Sequence, residues 1–258
     1  MVLRRGFRLF GGIVFGGVLL YLALCAALLV FQRALIYHPQ PNEGDTPASL
    51  MAFTVDGVRL QASVRPHDGP DAVLYLGGNA EDVSLNLADF SATFADQALY
   101  LLHYRGFGGS GGSPTQAALQ ADALALYDLV AASHPHVTVI GRSLGSAVAV
   151  YLASQRPVAR LVLVTPFNSL AELASQRFAL FPVQWMLKDR FDSWRYAPQV
   201  SAPTRLVAAA DDSLVPRAST ERLYVHFAPG VATLQFIPAC DHNSISDSPA
   251  YLPALKAR

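Results

Sequence analysis

The chain has 258 residues, with 19 basic and 19 acidic side chains, so its formal net charge is zero. This balance gives no indication of nucleic acid or of a strongly anionic partner. The chain has two cysteines, Cys25 and Cys240, and neither a Cys-x-x-Cys nor a His-Glu-x-x-His motif. We therefore expect no internal disulfide, no bound metal and no cofactor.

The first predicted element is an apolar stretch over residues 9–31 that contains no charged side chain. It is long enough to cross a membrane, since about 20 apolar residues span the bilayer core. Arg4, Arg5 and Arg8 precede it. The positive-inside rule then predicts that residues 1–8 are cytoplasmic and that the rest of the chain lies across the membrane, in the periplasm if the protein is bacterial. The alternative is a cleaved signal peptide, whose apolar core is usually only about 7–15 residues long, so we predict a retained signal anchor.

The remaining chain is predicted to form one α/β domain. Residues 32–49 are polar and rich in proline, which is typical of a linker, and the domain follows over residues 50–258. Asp56-Gly57 between two β-prone stretches predicts a hairpin. Six further strands, most of them separated by helical stretches, predict a mainly parallel sheet with helices on both faces. These strands are predicted at about residues 72–76, 98–103, 137–141, 160–164, 204–210 and 232–237.

A nucleophile motif follows the predicted strand at 137–141. Gly141-Arg142-Ser143-Leu144-Gly145 joins this β-branched strand to a helix-prone stretch. A serine in a Gly-x-Ser-x-Gly pattern lies on a strained strand-to-helix turn, where small residues two before and two after it relieve crowding. The helix N-terminus offers free backbone N–H groups to an oxyanion. The strand before the motif and the helix after it make Ser143 the predicted nucleophile.

Residues of the types that such a serine needs follow two later strands. The serine needs a histidine to take its proton and a carboxylate to orient the histidine, in the chain order Ser, Asp, His. Asp211 and Asp212 follow one strand and His242 follows the next, at the sheet edge where ligands bind. Neighbouring side chains on an extended segment point to opposite sides, so one aspartate is predicted to act, and the spacing leaves the choice open. His103 ends a strand at the same edge but precedes Ser143, which breaks the order.

An oxyanion hole needs a second donor, from the loop after an earlier strand. Gly77-Gly78-Asn79 follows the strand at 72–76, and we assign the two donors to the backbone N–H groups of Leu144 and Asn79. The alternative is an ordinary glycine-rich turn. A phosphate-binding loop is disfavoured because the chain has neither Gly-x-x-x-x-Gly-Lys nor Gly-x-Gly-x-x-Gly.

A long apolar insertion, at about residues 167–200, separates two of the predicted strands. Its large apolar side chains are Phe178, Leu180, Phe181, Val183, Trp185, Met186, Leu187 and Phe191. They could form a short cap that lines an acyl pocket above Ser143. Alternatively, they could simply pack the insertion onto the domain, and the sequence leaves both interpretations open.

Five segments are similar to one known family: residues 76–80, 103–112, 141–145, 212–216 and 241–243. The resemblance covers the chain from about residue 50 to its end. The chain resembles membrane-anchored serine hydrolases of the α/β-hydrolase superfamily, in the serine aminopeptidase-like and depalmitoylase-like group. The family's acid lies in Asp-x-x-Val-Pro, which selects Asp212 over Asp211. The chain departs from the family pattern at Gly77, where the family has histidine, and at His103, where it has aspartate, but it keeps all three triad residues.

The resemblance implies a serine hydrolase with the triad Ser143, Asp212 and His242. We expect it to cleave carboxylic ester or thioester bonds through an acyl-enzyme, on small-molecule or lipid-like, acylated substrates at the membrane. A membrane-anchored serine peptidase is the enzymatic alternative, because the family also holds peptidases. A catalytically silent binding domain on the same fold is the alternative of another class. The sequence indicates no oligomeric state.

Overall fold

The computed structural model describes residues 2–46 and 49–257, with side chains from residue 10 onward. Met1, residues 47–48 and Arg258 lie outside the described residues. The predicted cytoplasmic segment depends on the charges of Arg4, Arg5 and Arg8, whose side chains are also outside the description. That prediction therefore rests on the sequence.

The chain begins with one long helix, α1, over Val2–Ile36. Its segment Phe10–Ile36 is, among the described residues, the one helix long and apolar enough to cross a membrane. Side chains such as Phe15 and Val30 project outward from it without protein neighbours that bury them. The helix includes the predicted span and continues through the first five residues of the predicted linker.

An eight-stranded sheet forms the centre of the domain, in the order β1-β2-β4-β3-β5-β6-β7-β8. The strands are β1 Leu50–Val55, β2 Val58–Arg65, β3 Asp71–Leu76, β4 Ala98–His103, β5 His136–Arg142, β6 Arg160–Val164, β7 Thr204–Ala209 and β8 Ala232–Ile237. β1 and β2 form the predicted hairpin, and both turn residues, Asp56 and Gly57, have the positive φ angles that a two-residue hairpin turn requires. β2 pairs antiparallel with β4, and every pairing from β4 to β8 is parallel. The predicted α/β class with a mainly parallel sheet is confirmed.

Within the described ranges, seven more α-helices surround the sheet: α2 Leu87–Thr93, α3 Gln116–Ala131, α4 Leu144–Gln155, α5 Leu170–Arg177, α6 Val183–Met186, α7 Arg217–Tyr224 and α8 Tyr251–Lys256. Successive residues of the central strands alternate between two hydrophobic cores, one on each face. Leu74 and Val139 pack on the face that carries α3 and α4, whereas Tyr75 and Ile140 pack on the face that carries α2 and α8. Because both faces are buried, the strand sequences are continuously apolar.

The segment after α1, predicted as part of a linker, lies against the domain. The carbonyl oxygen of Gln40 accepts a hydrogen bond from the Gly108 amide at 2.9 Å. The Glu43 amide donates to a carboxylate oxygen of Asp82 at 2.8 Å. The Asp45 side chain is completely buried. The chain therefore leaves α1 on a fixed path over the domain surface as far as residue 46.

A buried cluster of polar side chains holds Asp45 in place. His103 Nε2 lies 2.7 Å from Ser63 Oγ and 3.3 Å from Asp45 Oδ2, and the Ser63 hydroxyl also contacts Asp45. Burial lowers the pKa of His103, although the neighbouring Asp45 carboxylate acts to raise it. His103, which ends β4 at the carboxyl edge of the parallel strands, is therefore part of a structural cluster.

This cluster predicts that the free energy of unfolding falls in acid. The ordinary pKa of histidine is 6.5, and the folded protein holds that of His103 below this value. As the pH drops below about 6.5, the unfolded chain binds a proton that the folded chain does not, so stability decreases. Urea unfolding at about pH 7.5 and about pH 5.5 measures the loss. His103→Asn should show a smaller loss than the wild type, and equal losses would contradict the prediction.

Candidate active site

Ser143 lies at the turn between β5 and α4, with φ 50° and ψ −116°. A non-glycine residue with positive φ is strained and persists only where its surroundings impose it. The surroundings here admit only glycine at two positions. A Cβ atom on Gly145 would lie 2.0 Å from the Leu76 carbonyl oxygen, and one on Gly141 would lie 2.4 Å from the Gly145 carbonyl oxygen. These contacts explain why small residues lie two before and two after the serine.

The three residues predicted as a triad lie together at the carboxyl edge of the sheet. His242 Nε2 is 2.9 Å from Ser143 Oγ, and His242 Nδ1 is 2.8 Å from Asp212 Oδ2. The second carboxylate oxygen, Asp212 Oδ1, accepts hydrogen bonds from the amides of Leu214 at 2.9 Å and Val215 at 2.7 Å. These two amides fix the carboxylate, which in turn fixes the ring of His242.

The two neighbouring aspartates have different environments. The Asp212 side chain is only 4% exposed, and the His242 side chain is 11% exposed. Asp211 is exposed, and its backbone amide donates to the Cys240 carbonyl oxygen at 3.1 Å. The carboxylate that contacts His242 is therefore that of Asp212.

The loop after β3 lies beside Ser143. Asn79 and Leu144, the predicted oxyanion donors, both line the same cavity as Ser143. The Asn79 side chain donates to the Ile36 carbonyl oxygen at 2.8 Å, and the Asn79 carbonyl oxygen accepts from the His38 amide at 2.9 Å. The end of α1 thus holds the loop from the outside.

A partly buried carboxylate that the sequence analysis did not identify, Glu81, holds this loop from the inside. Glu81 accepts hydrogen bonds from the Gly78 amide at 2.7 Å, the Tyr75 hydroxyl at 2.6 Å and the Asn86 side chain at 2.8 Å. It also lies 3.7 Å from the Arg142 guanidinium. An acidic residue two positions after Gly-Gly-Asn was the available sequence signal.

Arg142 connects this loop to the histidine loop. Its guanidinium donates to the Asn243 carbonyl oxygen at 3.3 Å, next to His242. Burial acts to lower the pKa of Arg142, but Glu81 and the hydroxyls of Tyr75 and Tyr251 raise it above its ordinary value, so the group is charged. Arg142, the residue before Ser143, therefore links two loops. Its ion pair with Glu81 holds the loop after β3, and its hydrogen bond to Asn243 holds the loop that carries His242.

A cavity of about 660 Å³ opens above Ser143 and His242. Five of the predicted cap side chains line it: Phe178, Phe181, Val183, Met186 and Leu187. Of the other three, Phe191 is buried in the domain core, whereas Leu180 and Trp185 are exposed. The insertion thus both lines a pocket and packs on the domain. Among the described residues, no group of His, Cys, Asp and Glu side chains has the arrangement of a metal site.

Part of the cavity wall comes from α1, which the sequence analysis did not anticipate. Leu28, Gln32, Leu35 and Ile36 of this helix face the cavity together with the cap. Sequence periodicity identifies an apolar helix but not the surface against which its last turns pack. The N-terminal helix is therefore a structural part of the candidate site.

Comparison with known proteins assigns the chain to a family. Residues 71–187 match the profile of the alpha/beta hydrolase fold. An uncharacterized protein of Mycobacterium tuberculosis, Rv2307c, is 35% identical over 82% of this chain and 80% of its own length. The uncharacterized protein YfhR of Salmonella typhi is 29% identical over 87% of this chain and 86% of its own length. The chain belongs to the alpha/beta hydrolase family.

Solved structures share the same architecture. The Pyrococcus furiosus esterase Pf2001 superposes with a TM-score of 0.64 at 19% sequence identity, over 85% of this chain and 98% of its own. At that level of identity the likeness concerns the fold. Membership of the family, together with the geometry around Ser143, supports a hydrolase activity for this protein.

Proposed function

We propose that this protein is a membrane-anchored serine hydrolase that cleaves carboxylic ester or thioester bonds through an acyl-enzyme on Ser143. The observation that carries the proposal is the continuous hydrogen-bonded chain from Ser143 Oγ through His242 to Asp212, with distances of 2.9 Å and 2.8 Å. A serine hydroxyl is a weak nucleophile unless a base stands ready to take its proton.

In the proposed mechanism, His242 Nε2 takes the proton from Ser143 as the hydroxyl oxygen attacks the substrate carbonyl carbon. Asp212 holds the Nδ1–H and stabilises the imidazolium that forms. The negative charge on the former carbonyl oxygen is stabilised by the backbone amides of Leu144 and Asn79. Collapse of the intermediate breaks the bond to the leaving group, which departs with the proton from His242. A water molecule, deprotonated by His242, then attacks the acyl-enzyme and releases the acid and free Ser143.

The proposed location follows from α1 and the charges that precede it. With α1 across the membrane and its arginines on the cytoplasmic side, the α/β domain lies on the far side, which is the periplasm of a bacterium. The mainly apolar cavity wall beside this helix favours acylated, lipid-like substrates. A protease added to intact spheroplasts should degrade the domain. Protection of the domain in intact spheroplasts, with degradation only after lysis, would contradict this orientation.

Labelling with a fluorophosphonate probe tests the proposed nucleophile. The detergent-solubilised wild-type protein should be labelled, whereas Ser143→Ala should not. Ser154→Ala is a matched control on the same helix and should be labelled like the wild type. The Ser154 hydroxyl donates to the Tyr151 carbonyl oxygen and accepts from the Gln155 side chain, so it has no contact with the triad. Folded wild-type protein that remains unlabelled would contradict the proposal and favour a silent binding domain. A panel of esters, thioesters and peptides then separates esterase from peptidase activity.

Replacing Glu81 should impair the proposed reaction without removing a reacting group. Glu81→Ala removes the acceptor of the Gly78 amide and the ion pair with Arg142, so the proposed oxyanion loop loses its fixed position. Displacement of a catalytic group by about 1 Å can cost about 10²-fold, and we expect kcat for a short-chain ester to fall by about 10- to 100-fold with a smaller change in KM. Glu221→Ala removes a comparable carboxylate from an exposed pair with Arg217 and is the control. Equal rates for the two variants would contradict this role.

A further inference from the structure

The last turns of α1 are bound to the cap, the insertion at residues 167–200. The Gln32 side chain accepts a hydrogen bond from the Lys188 amide at 2.7 Å and donates to the Met186 carbonyl oxygen at 3.3 Å. One turn away, Arg33 Nε donates to the buried carboxylate of Asp189 at 3.0 Å. Side-chain bonds of this kind fix both the position and the rotation of the helix. α1 is therefore a rigid neighbour of the site.

A second contact lies much deeper along the helix. The Tyr21 hydroxyl donates to the Leu180 carbonyl oxygen at 3.0 Å, and the Tyr21 ring stacks on Phe181 with the centroids 5.7 Å apart. Tyr21 precedes Phe31, the end of the apolar stretch, by ten residues, which is about 15 Å of helix. The cap thus runs alongside α1 as far as the middle of its apolar stretch.

The part of the cap that extends between these two contacts, residues 178–187, is called the cap tip here. It contains no charged residue, and it exposes large apolar side chains, with Trp185 91% and Leu180 84% exposed. A contiguous exposed apolar surface marks a contact with a membrane or another protein. Because the cap tip lies beside the apolar stretch of α1, we infer that its exposed side chains contact membrane lipid. The Tyr21 hydroxyl satisfies the Leu180 carbonyl oxygen, which lowers the cost of placing that backbone in hydrocarbon.

Charged side chains near the cap tip are compatible with the lipid headgroups. Lys188 follows the cap tip directly and lies beside Gln32, at the end of the apolar stretch of α1. Arg177 precedes the cap tip and lines the cavity. Its long side chain can extend from apolar surroundings to the headgroup region.

The cavity above Ser143 lies between these two elements. Leu28 and Leu35 of α1 form one wall, and Phe178 and Phe181 of the cap tip form another. We propose that the cap tip inserts into the leaflet beside α1, and that this cavity takes the long acyl chain of a lipid ester directly from the bilayer. The proposal rests on the proposed function and specifies its substrate as a bilayer-resident ester whose carbonyl reaches Ser143 from the membrane side.

Insertion is tested by the fluorescence of Trp185. The chain has two tryptophans, Trp185 and Trp194, so Trp194→Phe leaves Trp185 as the one reporter. In vesicles of phosphatidylcholine with brominated acyl chains, we expect strong quenching of Trp185 and protection from aqueous acrylamide. Trp185→Phe is the control, since the remaining Trp194 should show the opposite behaviour. Quenching of Trp185 by acrylamide and not by the brominated lipid would overturn the insertion.

Entry of the acyl chain is tested by narrowing the cavity at Leu28. Leu28→Trp, in the full chain reconstituted in vesicles, should lower the rate on a long-chain glycerolipid ester by about 10-fold or more, because pocket shape discriminates acyl groups at this level. The rate on an acetate ester should fall by a much smaller factor, so the ratio of the long-chain rate to the acetate rate should drop. Val30→Trp, two residues further on an exposed face of α1, should change neither rate. Equal changes of the two rates by Leu28→Trp would overturn the proposal.

These outcomes separate the two proposals. Suppose that the wild-type protein cleaves acetate esters and that Leu28→Trp does not change the rate on the long-chain ester. The proposed function then stands, but the proposal that the cavity takes an acyl chain from the bilayer fails. A wild-type protein that cleaves neither esters nor thioesters fails the proposed function itself, while the fluorescence of Trp185 still decides whether the cap tip is inserted. Cleavage confined to S-acylated peptides in solution would also overturn the lipid ester as substrate.

Discussion

Asp212→Asn is expected to lower kcat for ester hydrolysis by about 10⁴-fold, the size of loss known for the corresponding change in other serine-histidine-aspartate sites. The carboxylate of Asp212 accepts from His242 Nδ1 at 2.8 Å and so presents an unprotonated Nε2 to Ser143. An amide at this position can donate to Nδ1, which stabilises the wrong tautomer of the imidazole. Steady-state hydrolysis of a chromogenic short-chain ester measures the loss.

Asp211→Asn is the matched control for this change. It makes the same chemical substitution one residue earlier, on an exposed side chain, and should leave kcat unchanged. Circular dichroism should show both variants folded. A large loss for Asp211→Asn, or a normal rate for Asp212→Asn, would contradict the assignment of the acid.

Gly145→Ala is expected to disrupt the turn that presents Ser143. The added Cβ would lie 2.0 Å from the Leu76 carbonyl oxygen and 2.5 Å from that of Gly77. Both atoms belong to the backbone of β3 and the loop after it, so they cannot give way as a flexible side chain would. Overpacking of this kind costs about 1–3 kcal/mol of stability, and more where the backbone must move. Urea unfolding measures the cost, and activity should fall with it because α4 must shift relative to the loop after β3.

Gly111→Ala provides the comparison within the same domain. The nearest atom to its added Cβ would be the Arg59 carbonyl oxygen at 3.4 Å, an ordinary contact distance. The urea concentration at the midpoint of unfolding should be nearly the same for Gly111→Ala as for the wild type. Indistinguishable midpoints for Gly145→Ala and the wild type would contradict the close approach of α4 to β3.

The sequence was sufficient to predict the sheet and to identify three residues that the fold brings together, because local signals specify both. Strands buried on both faces are continuously apolar, so β5 and β6 were placed to within one residue. A strand followed by Gly-x-Ser-x-Gly and a helix predicted where Ser143 lies. His242 followed from its place at the end of a later strand. The choice of Asp212 over Asp211 needed the family pattern, since adjacent residues differ only in the side to which they point.

The contacts that complete the site were beyond sequence reasoning because they join distant segments. Glu81 and Arg142 are separated by 61 positions, and their pairing depends on how β3 and β5 lie side by side. Gln32 and Lys188 are separated by 156 positions. Nothing in the periodicity of α1 indicates that its last turns pack against a cap. Charge patterning places the end of the apolar stretch at residue 31, whereas the helix continues to Ile36, and Arg33 in this extension binds Asp189 of the domain.

The central claim is that Ser143 becomes acylated during turnover. Rapid mixing of the wild-type protein with p-nitrophenyl acetate, followed by an acid quench and peptide mass spectrometry, tests it most directly. The account predicts a burst of nitrophenolate that matches the enzyme concentration and an acetyl group on the peptide that contains Ser143. Turnover of the ester without any burst, or an acetyl group on another residue while Ser143 stays unmodified, would contradict it.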